Sequence, residues 1–412
     1  MVRYWLWLAT REGIGLRKMH LLLRHFSTPE QVWLADETAL RQVEGLGKAP
    51  SLEDKKLDGA DKILNDCFQK DIQVITMQDA AYPERLRNLD DAPLVLYCRG
   101  SMPDFDALPV IAMVGTRKAS GYGLMQAKTL GFQIGRMGGL VVSGGAYGID
   151  TMALKGALSA GGPVAAVLGC GADIVYPASN TGLFRDICAH GCLLTEYPPG
   201  TPALGSHFPV RNRILSGLAL GVLVVEAPRR SGALITANHA LEQGRDVFTL
   251  PANVGSPTCE GNLQLLKDGA ILVEEGWDVM REYEARFPDK LMDGRRKESL
   301  SRVYRARYGK ALPVYSPVSF GDGEPAPAVA AEPPAYEPEP TAPAKRAAPA
   351  AAPALAGDEK TVFDALGAEP LLPDELVADC GLPAQRVLTA LTMLQIKKLA
   401  AKTAGNRFFK VE

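Results

Sequence analysis

No stretch of the 412 residues approaches the roughly 18 consecutive apolar residues that a membrane span requires. The apolar opening "YWLWLAT" is shorter than a secretory hydrophobic region and meets Arg11 and Glu12 at once. An excess of charge of one sign is missing too. Lys and Arg number 45 and Asp and Glu 47, a net of -2. That excludes a uniformly polycationic nucleic-acid coat but not a local basic groove. The seven cysteines are odd in number and scattered, as suits reduced buried thiols. "CAHGC" (Cys188, His190, Cys192) lacks a second cluster at zinc spacing, so a structural helix end is expected there. His20, His25, His207 and His239 have no triad or zincin context, and the phosphate loop G-x-x-x-x-G-K-[ST] is absent. These absences predict a soluble cytoplasmic protein that holds no metal and no cofactor and touches no membrane.

What is present divides the chain into regions, since 412 residues suit two or three domains. Residues 1–105 form a helical N-terminal region and lead-in, balanced in charge. "GIGLRKMHLLLRHF" sets Leu16, Met19, Leu22 and Leu23 at helical spacing. The turns at Gly13 and Gly15 and at Gly45 and Gly47 resemble helix-hairpin-helix or SAM-type punctuation. Such turns either connect helices or offer amides to a DNA backbone, and connection is the commoner use. Residues 106–285 alternate strand and helix signals. Seven apolar runs ("PVIAMVG", "GLVVSGG", "PVAAVLG", "CLLTEY", "GVLVVEA", "DVFTLP", "AILVEE") are separated by helix-length segments. The expected fold is α/β, a Rossmann-like doubly wound parallel sheet. A basic connecting segment covers 286–321. Nine of the thirty prolines fall in 322–356, an Ala- and Pro-rich composition too poor in apolar surface to fold, which reads as an extended linker. Residues 357–412 return to globular patterning, three helices and a β-wing, as in a winged-helix domain.

The central region carries the chemistry. "VGTRKASGYG" follows the first strand, and a glycine-rich turn between strand and helix turns backbone amides toward an anion. Gly115, Gly121 and Gly123 are out of register for the dinucleotide pattern G-x-G-x-x-G, and Arg117 stands where a pyrophosphate would approach. A phosphate site built from Gly115, Arg117, Lys118 and Ser120 is expected, not an NAD site. "SGGAYGID" makes a second such turn with Ser143, Gly144, Gly145 and Tyr147, opening at the same carboxyl edge of the sheet. "FPVRNRILSGLA" places Arg211 and Arg213 around Asn212 beside apolar chain, which is costly unless an anion or carboxylate receives them. "EAPRRSGALITA" adds Arg229 and Arg230, with Ser231 and Gly232 at a helix start as a cap or phosphate ligand. Asp150, Asp173 and Glu226 lie near strand ends and are candidates to bind a ribose hydroxyl or pair with an arginine. Several phosphate cradles without a nucleophile point to polymer binding rather than turnover.

In order along the chain, "VGTRKASGYG", "SGGAYGID", "EYPPGT", "FPVRNRILSGLA", "LVVEAPRRSGALITA" and "GNLQLLKDGA" resemble the DprA/Smf family of bacterial DNA-processing proteins. The resemblance covers essentially the whole central domain, and "YPERLRNLDDAPLVLYCRG" is similar to the family's lead-in. It implies a cytoplasmic, non-catalytic recombination mediator. Such a protein binds single-stranded DNA during natural transformation, shields it, loads RecA and dimerises through the Rossmann domain. It also implies that Arg117, the Ser143 turn and the Arg211, Asn212, Arg213 motif line one groove, which agrees with amides and guanidiniums tracking a strand backbone. The chain departs from the family at three places. Leu154 replaces the histidine of G-I-D-x-x-A-H, Tyr147 stands where a Lys or Arg is common, and Ala252 replaces a glycine in "LPANVG". The winged-helix region has 7 basic and 8 acidic residues, so a protein-interaction role is as well supported there as DNA contact.

An alternative comes from another class. LOG-type nucleotide phosphoribohydrolases also combine a Rossmann sheet with a glycine-rich phosphate turn. They need P-G-G-x-G-T-x-x-E, and the corresponding strand end here, "EAPRRSGALITA", has no such Glu; fold alone does not decide function. Beyond the family motifs, "RRKESLSRVYRARYGK" interleaves Tyr304 and Tyr308 with Arg302, Arg305 and Arg307. It is a candidate accessory DNA contact as well as a candidate solvated lead-in to the linker.

Overall fold

A computed structural model describes residues 1–291, 357–367, 371, 373–397, 399–403 and 407–410. The candidate contacts at Arg302, Tyr304, Arg305, Arg307 and Tyr308 and the Pro/Ala-rich linker lie outside the described residues.

Five helices open the chain: α1 (Val2–Ala9), α2 (Leu16–Phe26), α3 (Pro29–Leu34), α4 (Glu37–Arg41) and α5 (Asp58–Gln69). Side chains at two caps show why α3 and α4 start where they do. Thr28 accepts the Gln31 amide and Asp36 the Ala39 amide, with Pro29 at the first turn of α3. Gly13, Gly45 and Gly47 all adopt positive φ, so the glycine turns are required by the backbone path. The helices bury Trp5, Leu6, Trp7, Leu22, Leu46 and Leu52 in a core of their own, which continues into Ile72, Val95 and Tyr97.

Those last residues belong to two strands that the apolar runs do not announce, β1 (Ile72–Thr76) and β2 (Val95–Gly100). Between them lies the short helix α6 (Glu84–Arg87). The seven anticipated strands follow: β3 (Val110–Val114), β4 (Leu140–Ser143), β5 (Val164–Val167), β6 (Gly191–Thr195), β7 (Gly221–Val224), β8 (Asp246–Thr249) and β9 (Ile271–Leu272). They alternate with α7 (Gly121–Arg136), α8 (Ile149–Ser159), α9 (Thr181–His190), α10 (His207–Leu218), α11 (Gly232–Glu242), α12 (Glu260–Lys267) and α13 (Gly276–Met280).

All nine strands form one sheet in the order β1-β2-β6-β5-β4-β3-β7-β8-β9. β2 is antiparallel to β1 and β6, and every later pairing is parallel. Alternate residues of each strand feed opposite faces. Ile111, Met113, Val141 and Ala166 meet α7, α8 and α9, whereas Val110, Ala112, Val142 and Val167 meet α6, α10 and α11. A sheet covered on both faces explains why its strands read as continuous apolar runs. α7 and α8 approach so closely that a Cβ on Gly156 would stand 2.1 Å from the Lys128 carbonyl oxygen. Leu154, at the family's histidine position, is fully buried in this layer. From β3 the chain steps outward to β6 and then returns to β7 on the other side of β3. The crevice between β3 and β7 is therefore the topological switch point, where open α/β sheets bind ligands.

The C-terminal unit contains α14 (Asp358–Ala365), α15 (Pro373–Cys380), α16 (Ala384–Ile396) and a wing of β10 (Ala400–Thr403) antiparallel to β11 (Arg407–Lys410). Val362, Leu376, Val387, Leu391 and Phe408 form its core. Three helices and a hairpin match the winged-helix expectation.

Candidate functional site

The turns after β3 and β7, the start of α10 and the start of α11 enclose a groove of about 700 Å³ at the switch point. Arg117, Lys118, Arg211 and Arg230 contribute its basic side chains and Asp150 its single carboxylate. Gly115, Asn212, Ser231 and Gly232 line it as well. Arg117, Lys118, Arg230 and Gly232 are exposed. This is a positive groove in which three of the four cations remain in contact with solvent and Arg211 is buried.

Gly115 serves packing. A Cβ there would lie 2.5 Å from Ile149 and 2.9 Å from the Glu226 carbonyl oxygen. Gly148 has φ +75°, and a Cβ on it would meet the Thr116 carbonyl oxygen at 2.5 Å, so the second turn can lie against the first only with glycine in that position.

Both glycine-rich turns are anion sites, and the structure fills them with the chain's own carboxylates. Glu226, 1% exposed, accepts the Ser120 amide at 2.9 Å and the Ser120 hydroxyl at 3.1 Å. The same hydroxyl caps α7 by accepting the Gly123 amide at 3.0 Å. In the second turn the Ala146 amide reaches Asp150 at 3.3 Å, and the Gly144 amide also donates to that carboxylate. Ser143 is fully buried, and its hydroxyl donates to the Met113 carbonyl at 2.6 Å. Burial pushes Asp150 toward its protonated form, opposed by Arg211 and those amides.

Arg211 forms the floor of the groove. Its Nη1 donates to the carbonyls of Gly144, at 2.8 Å, and of Val167, and its Nε donates to Asn212 Oδ1 at 3.2 Å. A Cβ on Gly144 would stand 2.5–2.6 Å from both Nη atoms and 2.6 Å from Asp150 Oδ2, so glycine here makes room for the pair. Burial lowers the Arg211 pKa to about 10, leaving it charged at neutral pH.

Arg213 goes elsewhere. It binds Glu196 through two hydrogen bonds of 2.9 and 2.6 Å and lies 3.3 Å from Asp91, away from the groove. Asp173 also has an internal role, accepting Lys70 Nζ at 2.6 Å and the Gly200 amide at 2.9 Å. Ser231 caps α11 by accepting the Ala233 amide at 3.2 Å. Tyr147 is 49% exposed in the loop before α8.

Two aromatic residues not singled out from the sequence complete the groove. The Arg117 guanidinium sits 4.9 Å from the centre of the Phe208 ring, and the Tyr176 ring stands 5.6 Å from it, tilted by 35°. Phe208 stands three residues ahead of the Arg-Asn-Arg motif, and Tyr176 opens the "YPASN" segment, which is also similar to the family's pattern; neither ring was marked as a groove residue by its own neighbours. At the "CAHGC" segment, α9 ends and β6 begins, and among the described residues no group of His, Cys, Asp and Glu could hold a metal.

The family model described as DNA recombination-mediator protein A matches residues 73–284, and the DprA winged helix domain model matches residues 346–406. The chain is 35% identical to the DNA processing protein DprA of Streptococcus pneumoniae over 286 residues, 69% of this chain and 99% of that one. It is 37% identical to Protein Smf of Synechocystis over 279 residues, 66% of this chain and 69% of the relative. The X-ray structure of the Streptococcus pneumoniae protein superposes with a TM-score of 0.61 at 33% identity, over 68% of this chain and 98% of the other. Two family models in the expected order, an almost completely covered relative and a shared fold agree with the motifs around the groove: the chain belongs to the DprA/Smf family of DNA-processing proteins.

Proposed function

We propose that the groove binds single-stranded DNA independently of sequence, and that the protein is a recombination mediator rather than an enzyme. The observation that carries this reading is the meeting of exposed cations with two aromatic rings at the switch point, half-buried Phe208 and exposed Tyr176. Arg117, Lys118 and Arg230 suit phosphates, and Phe208 and Tyr176 suit unstacked bases, whose faces a duplex hides. The carboxylates at this edge, Asp150 and Glu226, are engaged with amides and hydroxyls of the chain. Family membership supports the remainder: strand protection in the cytoplasm, transfer of the strand to RecA, and dimerisation through the central domain.

Phe208→Ala should weaken single-strand binding by about 1–3 kcal/mol, the worth of one base–aromatic stack. Fluorescence anisotropy of a labelled oligonucleotide measures it. Unchanged affinity would remove stacking from the account.

The basic segment beyond residue 291 is proposed as an accessory contact. Reversing Arg302, Arg305 and Arg307 to Glu should weaken binding and flatten its salt dependence while leaving the oligomeric state alone. An unchanged salt slope would mean that the segment never touches DNA.

A further inference from the structure

The two rings of the groove are joined through a carboxylate that does not line it. Tyr176 lies in the connection that leaves β5, and Phe208 lies in the first turn of α10, beyond the connection that leaves β6. Each ring therefore takes its place from a long loop, residues 168–177 for the one and 196–206 for the other, and not from a strand. Asp173 stands between these loops. Both of its oxygens accept the Gly200 amide, at 2.9 and 3.1 Å, and Oδ2 accepts Lys70 Nζ at 2.6 Å. Lys70 directly follows α5, so the N-terminal helices supply the counter-charge.

The loops also touch backbone to backbone. The Gly171 amide donates to the Thr201 carbonyl at 3.0 Å. A Cβ on Gly171 would stand 2.6 Å from Asp173 Oδ1 and 2.9 Å from the Pro198 carbonyl oxygen. The loops meet again beside the groove, where a Cβ on Gly169 would stand 3.0 Å from the Phe208 ring. The Tyr176 ring, three residues past Asp173, is 5.6 Å from that ring. The Asp173 side chain is 13% exposed and that of Lys70 40%. Burial opposes the charge on Asp173, but Lys70 and the Gly200 amide outweigh it and hold the carboxyl below its usual range.

We propose that Asp173 is a positioning residue for single-strand binding, fixing the spacing of Tyr176 and Phe208 by tying their two loops together, and that Lys70 holds it there. This role rests on the reading of the groove as a single-strand site. Rings held at a set spacing before a strand arrives cut the cost of ordering their loops on binding. Neither Asp173 nor Lys70 lines the groove, so both act through the rings.

The test measures single-strand affinity of full-length Asp173→Ala, Lys70→Met and Lys70→Arg by fluorescence anisotropy across a salt series, with thermal melting as the check on folding. Asp173→Ala should weaken binding roughly tenfold, within the worth of one base–aromatic stack, and Lys70→Met about threefold. Lys70→Arg should restore most of the loss, because it keeps a charge-assisted bond. One change removes a negative charge and the other a positive one, so a loss in both is not an effect of the protein's overall field. The salt slope should stay at the parent's value, since no phosphate contact is removed. In a Tyr176→Ala, Phe208→Ala background Lys70→Met should cost nothing further. If Asp173→Ala does not fold, Lys70→Met, a change at a partly exposed side chain, carries the test. The proposal is overturned if the ring variant binds weakly while the Asp173 and Lys70 variants bind as the parent does. It is overturned too if Lys70→Met costs as much without the rings as with them, or if the salt slope flattens. Parental affinity in the ring variant would overturn the stacking reading of the groove, and this role with it.

Discussion

Arg213→Ala is expected to destabilise the central domain by about 3–5 kcal/mol, the cost of breaking a buried ion pair by removing one partner. The Arg213 side chain is 5% exposed and Glu196 12%, so deleting the guanidinium leaves Glu196 buried without its two charge-assisted hydrogen bonds. Asp91, at 43% exposure, can be hydrated in its place. Urea denaturation measures the loss. Adding Glu196→Gln to the same variant should recover part of it, because the uncompensated charge is then gone. Single-strand affinity of the folded variant should match the parent. A loss below about 1 kcal/mol, the range of exposed pairs, would contradict burial as the origin of the effect. Lost DNA binding at unchanged stability would return Arg213 to the groove.

Arg117→Ala should act in the opposite sense, on binding and not on folding. The side chain is exposed in a loop and has no ion-pair partner among the described residues, so stability should change by less than about 0.5 kcal/mol. Its position over Phe208 holds the guanidinium beside the ring where a phosphate would follow a stacked base. Removing that charge-assisted contact should cost about 1.5–3 kcal/mol, a roughly tenfold to hundredfold loss of affinity. Arg117→Lys keeps the charge and loses planar contact with the ring, so it should fall between the two. Equal binding by parent and Ala variant would make Arg117 only a cover for Phe208.

The contrast between Arg211 and Arg213 shows where the sequence stopped being informative. Successive residues of a helix are about 100° apart, so positions i and i+2 face nearly opposite ways. Once "HFPVRNRILSGL" is known to be α10, the two arginines cannot share a groove. One reaches the carbonyl of Gly144 and the other reaches Glu196. The motif reveals that two cations must be satisfied; only the helix tells by what.

The glycine-rich turns follow the same logic. Ser120 and Gly144 mark places where amides meet an anion, and that chemistry was legible. The occupants were not, because Glu226 stands 106 residues from Ser120 and arrives there through the return crossover to β7. Six of the seven parallel strands were readable because both their faces are buried; β9, at the sheet edge with Leu272 46% exposed, was readable only from its apolar residues. β1 and β2 follow a stretch dominated by helical spacing; β2 is itself a continuous buried run, residues 95–98, inside the lead-in. β1 has Gln73 exposed and Val74 half-buried between buried ends, so it offers no continuous apolar run.

If the groove takes single strands through phosphates and base faces, equilibrium binding of matched single- and double-stranded oligonucleotides across a salt series will show it. Groove binding of this kind requires a higher affinity for the single strand whatever its sequence, falling by roughly 0.7 log unit per log unit of salt for each phosphate neutralised. Equal or tighter binding to blunt duplex would contradict it.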